Sequence, residues 1–519
     1  MHLFTWSWIF MAAYIAVMIV FGIYASRQIK GADDYATARG SYGPVLLSLA
    51  FASTAASGAT FLGVPGLAYT HGVSVLWIAF LYPIGIYLGV LICQKNIGHY
   101  GNESGARSIP EYLGERFQSE SLRISAAILS LLLLFYLAGQ LVAGLVMFEM
   151  MLGLSKGFAL AITATVLLVY VTFGGAHADI LTDGAQGFLM IILAIAIAAL
   201  FFSGYGVGGF DNLINSLEEQ DKNLISSFNL ATPITSSTWA YATVVIAHIP
   251  LGLLPHIGNK IWALNDQTQR NRFLILAFIF GMILPMMALG GLLARALLGE
   301  ELLGNGANTA LPALFLQLFP AWLAALLGVG VLAAIMSTAD GLLISTSQVF
   351  ANDIYRRSIA PRLQPDLSEQ ELDHIVLRIS RIVTVMTLLG SIALGWSIMH
   401  LNITLLIWAG VGGFTAALMG PLVLGSLWKG MTPAAAVSGF WGGALSFVVI
   451  HSRWLTAEWA YDTSLDSLAR WFDYYAASPY SAATIGGAIS LLLCITVSKF
   501  TRALPSAHLE LLESKARAK

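Results

Sequence analysis

The chain has 519 residues, of which 57% are hydrophobic and 10% carry a charge, and its formal net charge is −2. Soluble globular proteins have about 25% charged residues, so most of the surface of this chain is expected to face lipid. The composition therefore predicts an integral membrane protein in a lipid bilayer, and the lack of a basic tail or face excludes nucleic acid as a partner. Cys93 and Cys494 are the only cysteines and lie in apolar runs, which excludes a disulfide framework and a zinc or iron–sulfur centre.

Thirteen apolar stretches of about 17 to 30 residues are long enough to cross a bilayer. They are centred, in chain order, near residues 15, 55, 84, 136, 164, 194, 247, 283, 333, 387, 415, 442 and 491. This pattern predicts an all-α membrane protein with 13 transmembrane helices. Most of the 26 Lys and Arg residues lie in segments that are cytoplasmic when the N-terminus is outside, so the positive-inside rule predicts that orientation and a cytoplasmic C-terminus. The expected location is the plasma membrane, which in a bacterium is the inner membrane.

Helix-breaking residues interrupt the second and the seventh stretch. The second reads "LLSLAFASTAASGATFLGVPGLAY", where Pro65 follows a group of hydroxyl side chains, and the seventh reads "VVIAHIPLGLLPHIGNKIW", with Pro250 and Pro255. Each opens a group of five stretches, so the two breaks occupy corresponding positions in two halves. Unwound backbone is tolerated at membrane depth only where it lines a cavity or is buried in protein, and paired interrupted helices are typical of the substrate site of a secondary transporter.

Polar residues also interrupt the ninth stretch, which reads "AAIMSTADGLLISTS". The hydroxyls of Ser337 and Thr338 are hard oxygen ligands for a small cation, and Ser53 and Ala56 at the break in the second stretch could add carbonyl oxygens. Alternatively, the hydroxyls bond to their own helix or join two helices. Asp340 lies one turn beyond Ser337 on the same face; it could belong to an ion exit path, a second cation site or a proton site, or be paired with a nearby polar group.

Three further polar residues are candidates for a functional role. Asp183 follows the fifth stretch in "ADILTDGAQG", a predicted loop, where it could act with Asp340 or cap a helix. Gln140 is the only strongly polar side chain in the middle of the fourth stretch, and it could donate to a substrate carboxylate or bridge helices. His256 directly follows the break in the seventh stretch, where it could face the substrate or satisfy backbone carbonyls.

The motifs resemble those of the sodium/solute symporter family. The resemblance covers nearly the whole chain and depends on "GADDYATARG", "STAASGATFLGVPGLAY", "SIPEYLGERF", "YVTFGGAHADILTDGAQG" and "AAIMSTADGLLISTSQVFANDIYR". It implies one transmembrane domain over 1–519 with the LeuT-type five-plus-five inverted repeat. The implied parts are an extra N-terminal helix over 1–25, a first repeat over 43–205, a second repeat over 238–428, two C-terminal helices over 432–502 and a cytoplasmic tail over 503–519.

The resemblance also implies Na⁺ as the coupling ion and a set of ligands for it. The ligands that it implies are the carbonyls of Ser53, Ala56 and Ala334 and the hydroxyls of Ser337 and Thr338. The family's Thr–Asp pair matches Thr182 and Asp183, and the aspartate is implied in sodium release or in a second sodium site, to which Asp340 could add.

Departures from the family patterns bear on the substrate. Thr60 stands where sugar transporters have glutamine, and Ala55 stands where proline transporters have aspartate. Ser57 and Thr60 match carboxylate-binding positions of the sialic acid members, whose arginine corresponds to Gln140. The segments "AGQLVAG", "LPHIGNK" and "MSTADGLL" are most similar to the monocarboxylate and pantothenate branches. We therefore expect sodium-coupled import of a small organic anion by alternating access, with Ser57, Thr60, Gln140 and His256 binding the substrate; proline, another amino acid or a sugar is the alternative.

Three other classes of protein are less consistent with the sequence. An enzyme is not expected, because no nucleophile, base and orienting group cluster in any loop. A receptor built on the same fold would need an output module or a small membrane partner subunit, and no segment between the apolar stretches is long and polar enough to fold as a soluble domain. A passive channel would need an open pore, which the charge-poor broken helices do not provide.

Overall fold

The computed structural model describes residues 2–29, 31–304 and 306–514. Within these residues the secondary structure is helical, with no β-strand. Among the described residues, ten helices are long and apolar enough to cross a membrane, two bent helix pairs pass the same test together, and one apolar helix is shorter. In chain order these are α1 (Leu3–Ser26), α2a and α2b (Pro44–Ala55 and Ala59–His71), α3 (Ser74–Ser104), α4 (Glu120–Leu152), α5 (Lys156–Leu168), α6 (Gly175–Ser203), α7a and α7b (Thr238–Leu253 and Pro255–Ala263), α8 (Gln267–Leu298), α9 (Ala321–Leu363), α10 (Glu369–Ile398), α11 (Ile403–Leu427), α12 (Pro433–His451) and α13 (Pro479–Ser498).

The fold is thus the predicted all-α membrane fold, with ten to twelve candidate spans among the described residues. The shorter α5 corresponds to the fifth predicted stretch, and the number of 13 crossings stays a prediction. Short helices on the connecting segments include Ile109–Phe117, Phe210–Gln220, Asp466–Ala476 and Ser506–Ser514.

Helices α5 and α6 form one helix, Lys156–Ser203, that is kinked at Gly175. Gly175 has φ 53° and ψ −151°, a conformation that only glycine adopts without strain. A Cβ atom there would also lie 2.7 Å from the carbonyl oxygen of Tyr35. The predicted loop around Asp183 was therefore wrong: this residue lies about two turns past the kink, inside α6.

Both predicted helix breaks are present, and each bends its helix pair by 58°. Ala56 ends α2a with φ −92° and ψ 77°, and the Ser57 hydroxyl accepts a hydrogen bond from the Ala59 N–H at 3.1 Å, which satisfies one amide at the start of α2b. In α7, Leu254 is extended (φ −60°, ψ 150°) directly before Pro255, which favours an extended residue on its N-terminal side. The sequence prediction of paired interrupted helices is confirmed.

Glycines let the broken helix α2 approach its neighbours closely. A Cβ atom on Gly187 of α6 would lie 2.5 Å from the Leu49 carbonyl oxygen of α2a, and one on Gly291 of α8 would lie 2.0 Å from the Pro65 carbonyl oxygen of α2b. Small residues allow such backbone contact between membrane helices. Helix α9 packs against α1, α4 and α6. At the break in α2, Gly58 lies against Gln140 of α4 and Ile335 of α9, so the break lies in the interior of the protein.

Candidate functional site

Ser337 and Thr338 of α9 contact the end of α2a. The Ser337 hydroxyl lies 3.1 Å from both the Ser53 and the Ala334 carbonyl oxygens, and the Thr338 hydroxyl donates to the Thr54 carbonyl at 2.9 Å. All these side chains are fully buried. The predicted sodium ligands Ser53, Ala334, Ser337 and Thr338 thus meet in one oxygen cluster.

The remaining predicted carbonyl ligand, Ala56, is buried at the end of α2a. The carbonyl of Thr54 was not among the predicted ligands, although it lies next to Ser53 in the chain. Neutral hydroxyl and unwound-backbone carbonyl oxygens are the ligands that sodium takes in transporters with broken helices. The residues present therefore fit a sodium ion.

A cluster of three buried aspartates lies beside these oxygens. One carboxylate oxygen from each of Asp179, Asp183 and Asp340 lies within 4.8 Å of the others. The Lys260 ammonium of α7b is 2.5 Å from Asp179 Oδ2 and 2.7 Å from Asp183 Oδ2. If all four groups are ionised, the cluster carries two uncompensated negative charges, which is costly in a buried site unless a cation or protons balance them.

Each of these aspartates also presents an oxygen without a partner. In the described part of the chain, Asp179 Oδ1, Asp183 Oδ1 and Asp340 Oδ2 are buried and have no hydrogen-bond partner. Buried polar atoms are rarely left unsatisfied, and carboxylate oxygens are ligands for hard cations. The residues therefore fit a second cation, and the structure brings Asp183 and Asp340 together as the prediction requires.

Thr54 joins the oxygen cluster to the aspartate cluster. Its carbonyl accepts from the Thr338 hydroxyl, and its own hydroxyl donates to Asp183 Oδ2 at 2.5 Å. The neighbouring Ser53 hydroxyl donates to the Asp183 carbonyl at 2.9 Å. Two consecutive residues of α2a therefore contact both α9 and α6, and the two candidate cation regions form one hydrogen-bonded network.

A separate cavity lies on the other side of the break in α2. Its volume is about 40 Å³, which corresponds to roughly three water molecules. It is lined by Ala55, Ser57, Ala59, Thr60, Val64, Ile78, Tyr82, Tyr136, His248, Leu251, Thr404, Ile407, Trp408 and Tyr480. None of these residues is Asp, Glu, Lys or Arg, and several carry hydroxyl groups, so the wall of this aromatic cavity combines ring surfaces with neutral hydrogen-bonding groups.

The side chains of the aromatic cavity hold one another in place. Thr60 Oγ1 lies 3.0 Å from the Tyr82 hydroxyl. The His248 ring is 4.5 Å from the Trp408 ring between centroids, and Trp408 is 4.9 Å from Tyr480. Two of the predicted substrate ligands, Ser57 and Thr60, line this cavity.

The other two predicted substrate ligands lie elsewhere. Gln140 Oε1 accepts from the Gly58 N–H at 2.9 Å, so this amide supports the start of α2b, while its Nε2 is buried without a partner in the described chain. His256 lines a different cavity with Asp179 and Lys260, and its ring meets that of Tyr136 edge-on at 5.2 Å between centroids. Both remain predictions as substrate ligands, and the structure places neither in the lining of the aromatic cavity.

Besides Thr54, sequence reasoning missed several residues of these sites, among them Asp179, Lys260, His248 and Trp408. Asp179 lies one turn before Asp183, a spacing that would have paired them on one face if the segment had been read as helix. Lys260 lies in a segment that the positive-inside rule assigns to the cytoplasm, yet it is buried, with an exposed fraction of 3%. For His248 the sequence shows only that it precedes the break at Pro250, and for Trp408 only that it lies in an apolar stretch.

The fold and the geometry of the site together define a class of protein. An all-α membrane fold, in which two bent helices enclose buried oxygen ligands beside a small cavity, is the architecture of a secondary transporter. The model of the sodium:solute symporter family matches residues 35–443, and the chain belongs to that family. It is a sodium-coupled solute symporter of the LeuT-type fold, and its relatives are transporters and not enzymes.

Curated relatives carry different substrates. The sodium/proline symporter of Salmonella typhimurium is 29% identical over 84% of this chain and 86% of its own length. The sodium/pantothenate symporter of Haemophilus influenzae is 26% identical over 82% of this chain and 86% of its own length. A sodium/proline symporter of Staphylococcus aureus is 26% identical over 98% of this chain and 96% of its own length.

Solved structures agree on the fold. A sodium-coupled sialic acid symporter in a substrate-bound outward-open state matches with a TM-score of 0.72 at 19% identity, covering 96% of this chain and 98% of that one. Mhp1, a nucleobase-cation-symport-1 family transporter in a closed conformation, matches with a TM-score of 0.53 at 14% identity, covering 92% and 97%.

Proposed function

We propose that this symporter imports a small solute with a carboxylate group, of the monocarboxylate or pantothenate-like type. The observation that carries this proposal is the wall of the aromatic cavity, in which Ala55 offers no acidic partner to a substrate ammonium. Hydroxyl donors from Ser57 and Thr60 lie instead at the start of α2b, where the helix dipole favours a negative group. The rings of Trp408 and Tyr480 would cover the apolar body of the solute.

Proline is the second candidate substrate. The relatives in Salmonella typhimurium and Staphylococcus aureus are named sodium/proline symporters, and a zwitterion has no net charge to bury in a cavity without Lys or Arg. The faces of Trp408, Tyr480 and Tyr82 could attract its ammonium by cation–π interaction. A short monocarboxylate or proline would displace the aromatic wall less than a hexose or pantothenate, so the small cavity favours the smaller members of both candidate classes.

For the coupling ion, the proposed sodium site consists of the Ser337 and Thr338 hydroxyls with the carbonyls of Ser53, Ala56 and Ala334. Sodium bound there joins α9 to the end of α2a, and so orders the break that carries Ser57 and Thr60. We propose a second cation site at Asp183 and Asp340, completed by Asp179, which also lies on the ion's exit path to the cytoplasm.

The number of sodium ions determines the driving force. Each positive charge moved inward contributes about 2.3 kcal/mol per 100 mV. With one sodium per monoanion this electrical contribution cancels, whereas a second sodium restores it. Import of an anion against its gradient is therefore favoured by two cation sites, and the excess negative charge of the aspartate cluster supports the second.

The proposed arrangement of the chain has two repeats, 43–205 and 238–428, related by inversion. The equal bends of α2 and α7 support this arrangement. The N-terminus is placed outside and the C-terminus in the cytoplasm, because this orientation agrees with the distribution of Lys and Arg.

Uptake into proteoliposomes tests the substrate. The purified protein is given acetate, propionate, pyruvate, lactate, pantothenate, proline and glucose in turn, with and without an inward sodium gradient. Sodium-dependent uptake of a carboxylate other than proline supports the proposal. Uptake of proline alone would select the second candidate, and uptake of glucose alone would contradict both.

Paired variants test the sodium site. Ser337→Ala combined with Thr338→Ala is expected to abolish sodium-dependent uptake, because two ligands are lost. Thr384→Ala is a matched control, since Thr384 is a buried hydroxyl whose bond goes to its own helix, to the Ser380 carbonyl at 3.0 Å. Unchanged uptake by the double variant at equal membrane abundance would show that sodium binds elsewhere.

A further inference from the structure

A basic groove lies at the end of α3 that is cytoplasmic in the orientation proposed above, away from the residues of the proposed ion sites and the aromatic cavity. Three segments form it: the end of α3, the short helix Ile109–Phe117, and the chain that leaves α11. The basic groove is defined by six of its lining residues, which are Lys95, Asn96, His99, Arg116, Ser426 and Lys429. Neither the proposed ion sites nor the aromatic cavity includes any of them.

Arg116 forms the floor of the basic groove and carries a buried donor without an acceptor. Its exposed fraction is 5%. Nη2 donates to the Gly425 carbonyl at 3.3 Å, while Nη1 has no hydrogen-bond partner in the described chain. A guanidinium stays charged in proteins, and leaving one of its donors buried and unpaired is unfavourable.

The electrostatic neighbours of Arg116 are neutral groups. Burial lowers the pKa of the Arg116 guanidinium, and the phenols of Tyr112 and Tyr100 oppose that effect. The guanidinium also lies over the Phe117 ring, 4.9 Å from its centroid. An anion entering the groove would provide the acceptor that this charge lacks.

The acidic residues near the rim are engaged with other groups. Glu103 lies 3.7 Å from His99 Nε2, and Glu115 lies 3.5 Å from Arg357. Against them, Lys95 and Lys429 bring two exposed ammonium groups to the rim, of which Lys429 also interacts with another group of the protein. Arg116 and Lys95 therefore give the floor and the rim of the groove positive charge.

Exposed leucines adjoin the basic groove on its lipid side. Leu91 lies one turn before Lys95 on the same face of α3, with an exposed fraction of 56%, and Leu427 at the end of α11 is 66% exposed. In a bilayer these side chains face acyl chains, while the lysines lie at headgroup depth. Basic pockets between transmembrane helices on the cytoplasmic side are suited to anionic lipid headgroups.

We propose that the basic groove binds the phosphate of an anionic phospholipid, with Arg116 Nη1 as the buried donor, Lys95 and Lys429 at the rim, and the acyl chains along Leu91 and Leu427. The Asn96 amide, which donates to the Ser426 carbonyl at 2.7 Å, fixes α3 against α11 at this point. A lipid bound here therefore bridges two helices and stabilises the cytoplasmic end of the fold.

The test uses the full-length protein in detergent and follows its unfolding temperature and, by native mass spectrometry, its bound lipid. Phosphatidylglycerol, phosphatidylcholine and the water-soluble glycerol phosphate are added at equal phosphate concentration. We expect phosphatidylglycerol to bind and to raise the unfolding temperature, and the other two to have little effect. An equal shift with phosphatidylcholine would overturn the proposal, because it would show solvation of the apolar surface alone. An equal shift with glycerol phosphate would identify free phosphate as the ligand and overturn the lipid assignment.

Variants locate the binding site. Lys95→Gln with Lys429→Gln is expected to weaken phosphatidylglycerol binding at least fivefold, and Arg116→Gln more. The exposed pair keeps the test decisive if the Arg116 variant does not fold. Lys499→Gln with Arg502→Gln, which removes two exposed charges beyond α13, is the matched control and should bind as the unaltered protein does. Equal binding by the groove variants and the control would overturn the proposal.

Discussion

Replacing Lys260 by methionine tests whether the aspartate cluster depends on its ammonium. The side chain keeps a similar length and loses its charge, so Asp179 and Asp183 lose the partner that lies 2.5 Å and 2.7 Å from their Oδ2 atoms. Removing one member of a buried ion pair costs about 3–5 kcal/mol, because the remaining charge stays buried without compensation. The excess charge of the cluster would rise from two to three negative charges.

This loss should appear as a fall of roughly two to three and a half powers of ten in the folding equilibrium constant. The assay is reversible unfolding in mixed micelles at fixed sodium concentration. Adding Asp179→Asn to Lys260→Met should recover much of the loss, since it removes one of the uncompensated charges. Raising the sodium concentration should stabilise the Lys260 variant more than the unaltered protein, because a cation can take the place of the ammonium.

A surface ion pair provides the control for this prediction. Arg470→Gln breaks the pair with Asp466, whose atoms are 2.9 Å apart but solvent-exposed, and it should leave stability unchanged within error. If Lys260→Met were as stable as this control, the buried ion pair would make no net contribution. If Asp179→Asn gave no recovery, the loss would have to come from packing and not from charge.

Three further substitutions have defined outcomes. Thr338→Ala should raise the sodium concentration for half-maximal uptake at least tenfold, whereas Thr338→Ser, which keeps the hydroxyl, should change it little. An equal rise in both variants would exclude the hydroxyl as a ligand. Trp408→Ala should raise the substrate concentration for half-maximal uptake roughly tenfold, because an aromatic wall of the cavity is lost, and an unchanged value would place the substrate elsewhere. Gly291→Ala puts a Cβ atom 2.0 Å from the Pro65 carbonyl oxygen and should destabilise the fold by about 1–3 kcal/mol or more. The control is Gly157→Ala, which should be tolerated because a Cβ atom there meets nothing within 4 Å. Equal unfolding free energies of the two variants would contradict the close packing of α8 on α2b.

The helical fold and its two breaks could be predicted from local sequence. Apolar length gives the helices, and Pro65, Pro250 and Pro255 with their neighbouring glycines give the interruptions, since these residues act on their own segment of backbone. The hydroxyls of Ser337 and Thr338 could be predicted in the same way, because a polar pair inside an apolar helix needs a partner. Of the carbonyls that they contact, that of Ser53 was predicted from the break in α2, that of Ala334 through the resemblance to known symporters, and that of Thr54 was missed.

Pairings between distant segments could not be read from the pattern. Lys260 and Asp183 are 77 residues apart in the chain, and the lysine looked like an ordinary cytoplasmic charge because nothing local shows that α7b enters the protein. Gln140 was expected to donate to a substrate or to bridge helices; its Oε1 accepts from the Gly58 N–H at the break, and its role toward a substrate stays a prediction. Whether a polar side chain bonds to the backbone of another helix or to the substrate depends on tertiary packing, and the sequence is compatible with both.

The contacts of α2 with its neighbours limit where that helix can flex. Leu49 of α2a approaches Gly187 of α6, Phe51 of α2a meets Phe273 of α8 edge-on at 5.3 Å between ring centroids, and Pro65 of α2b approaches Gly291 of α8. Both halves of α2 are therefore packed, and we expect a change in the bend of α2 to occur at the unwound residues 56–58, which act as a hinge. One side of this hinge bears the proposed sodium ligands and the other bears the hydroxyls of the aromatic cavity, so a single rotation there alters ion and solute binding together.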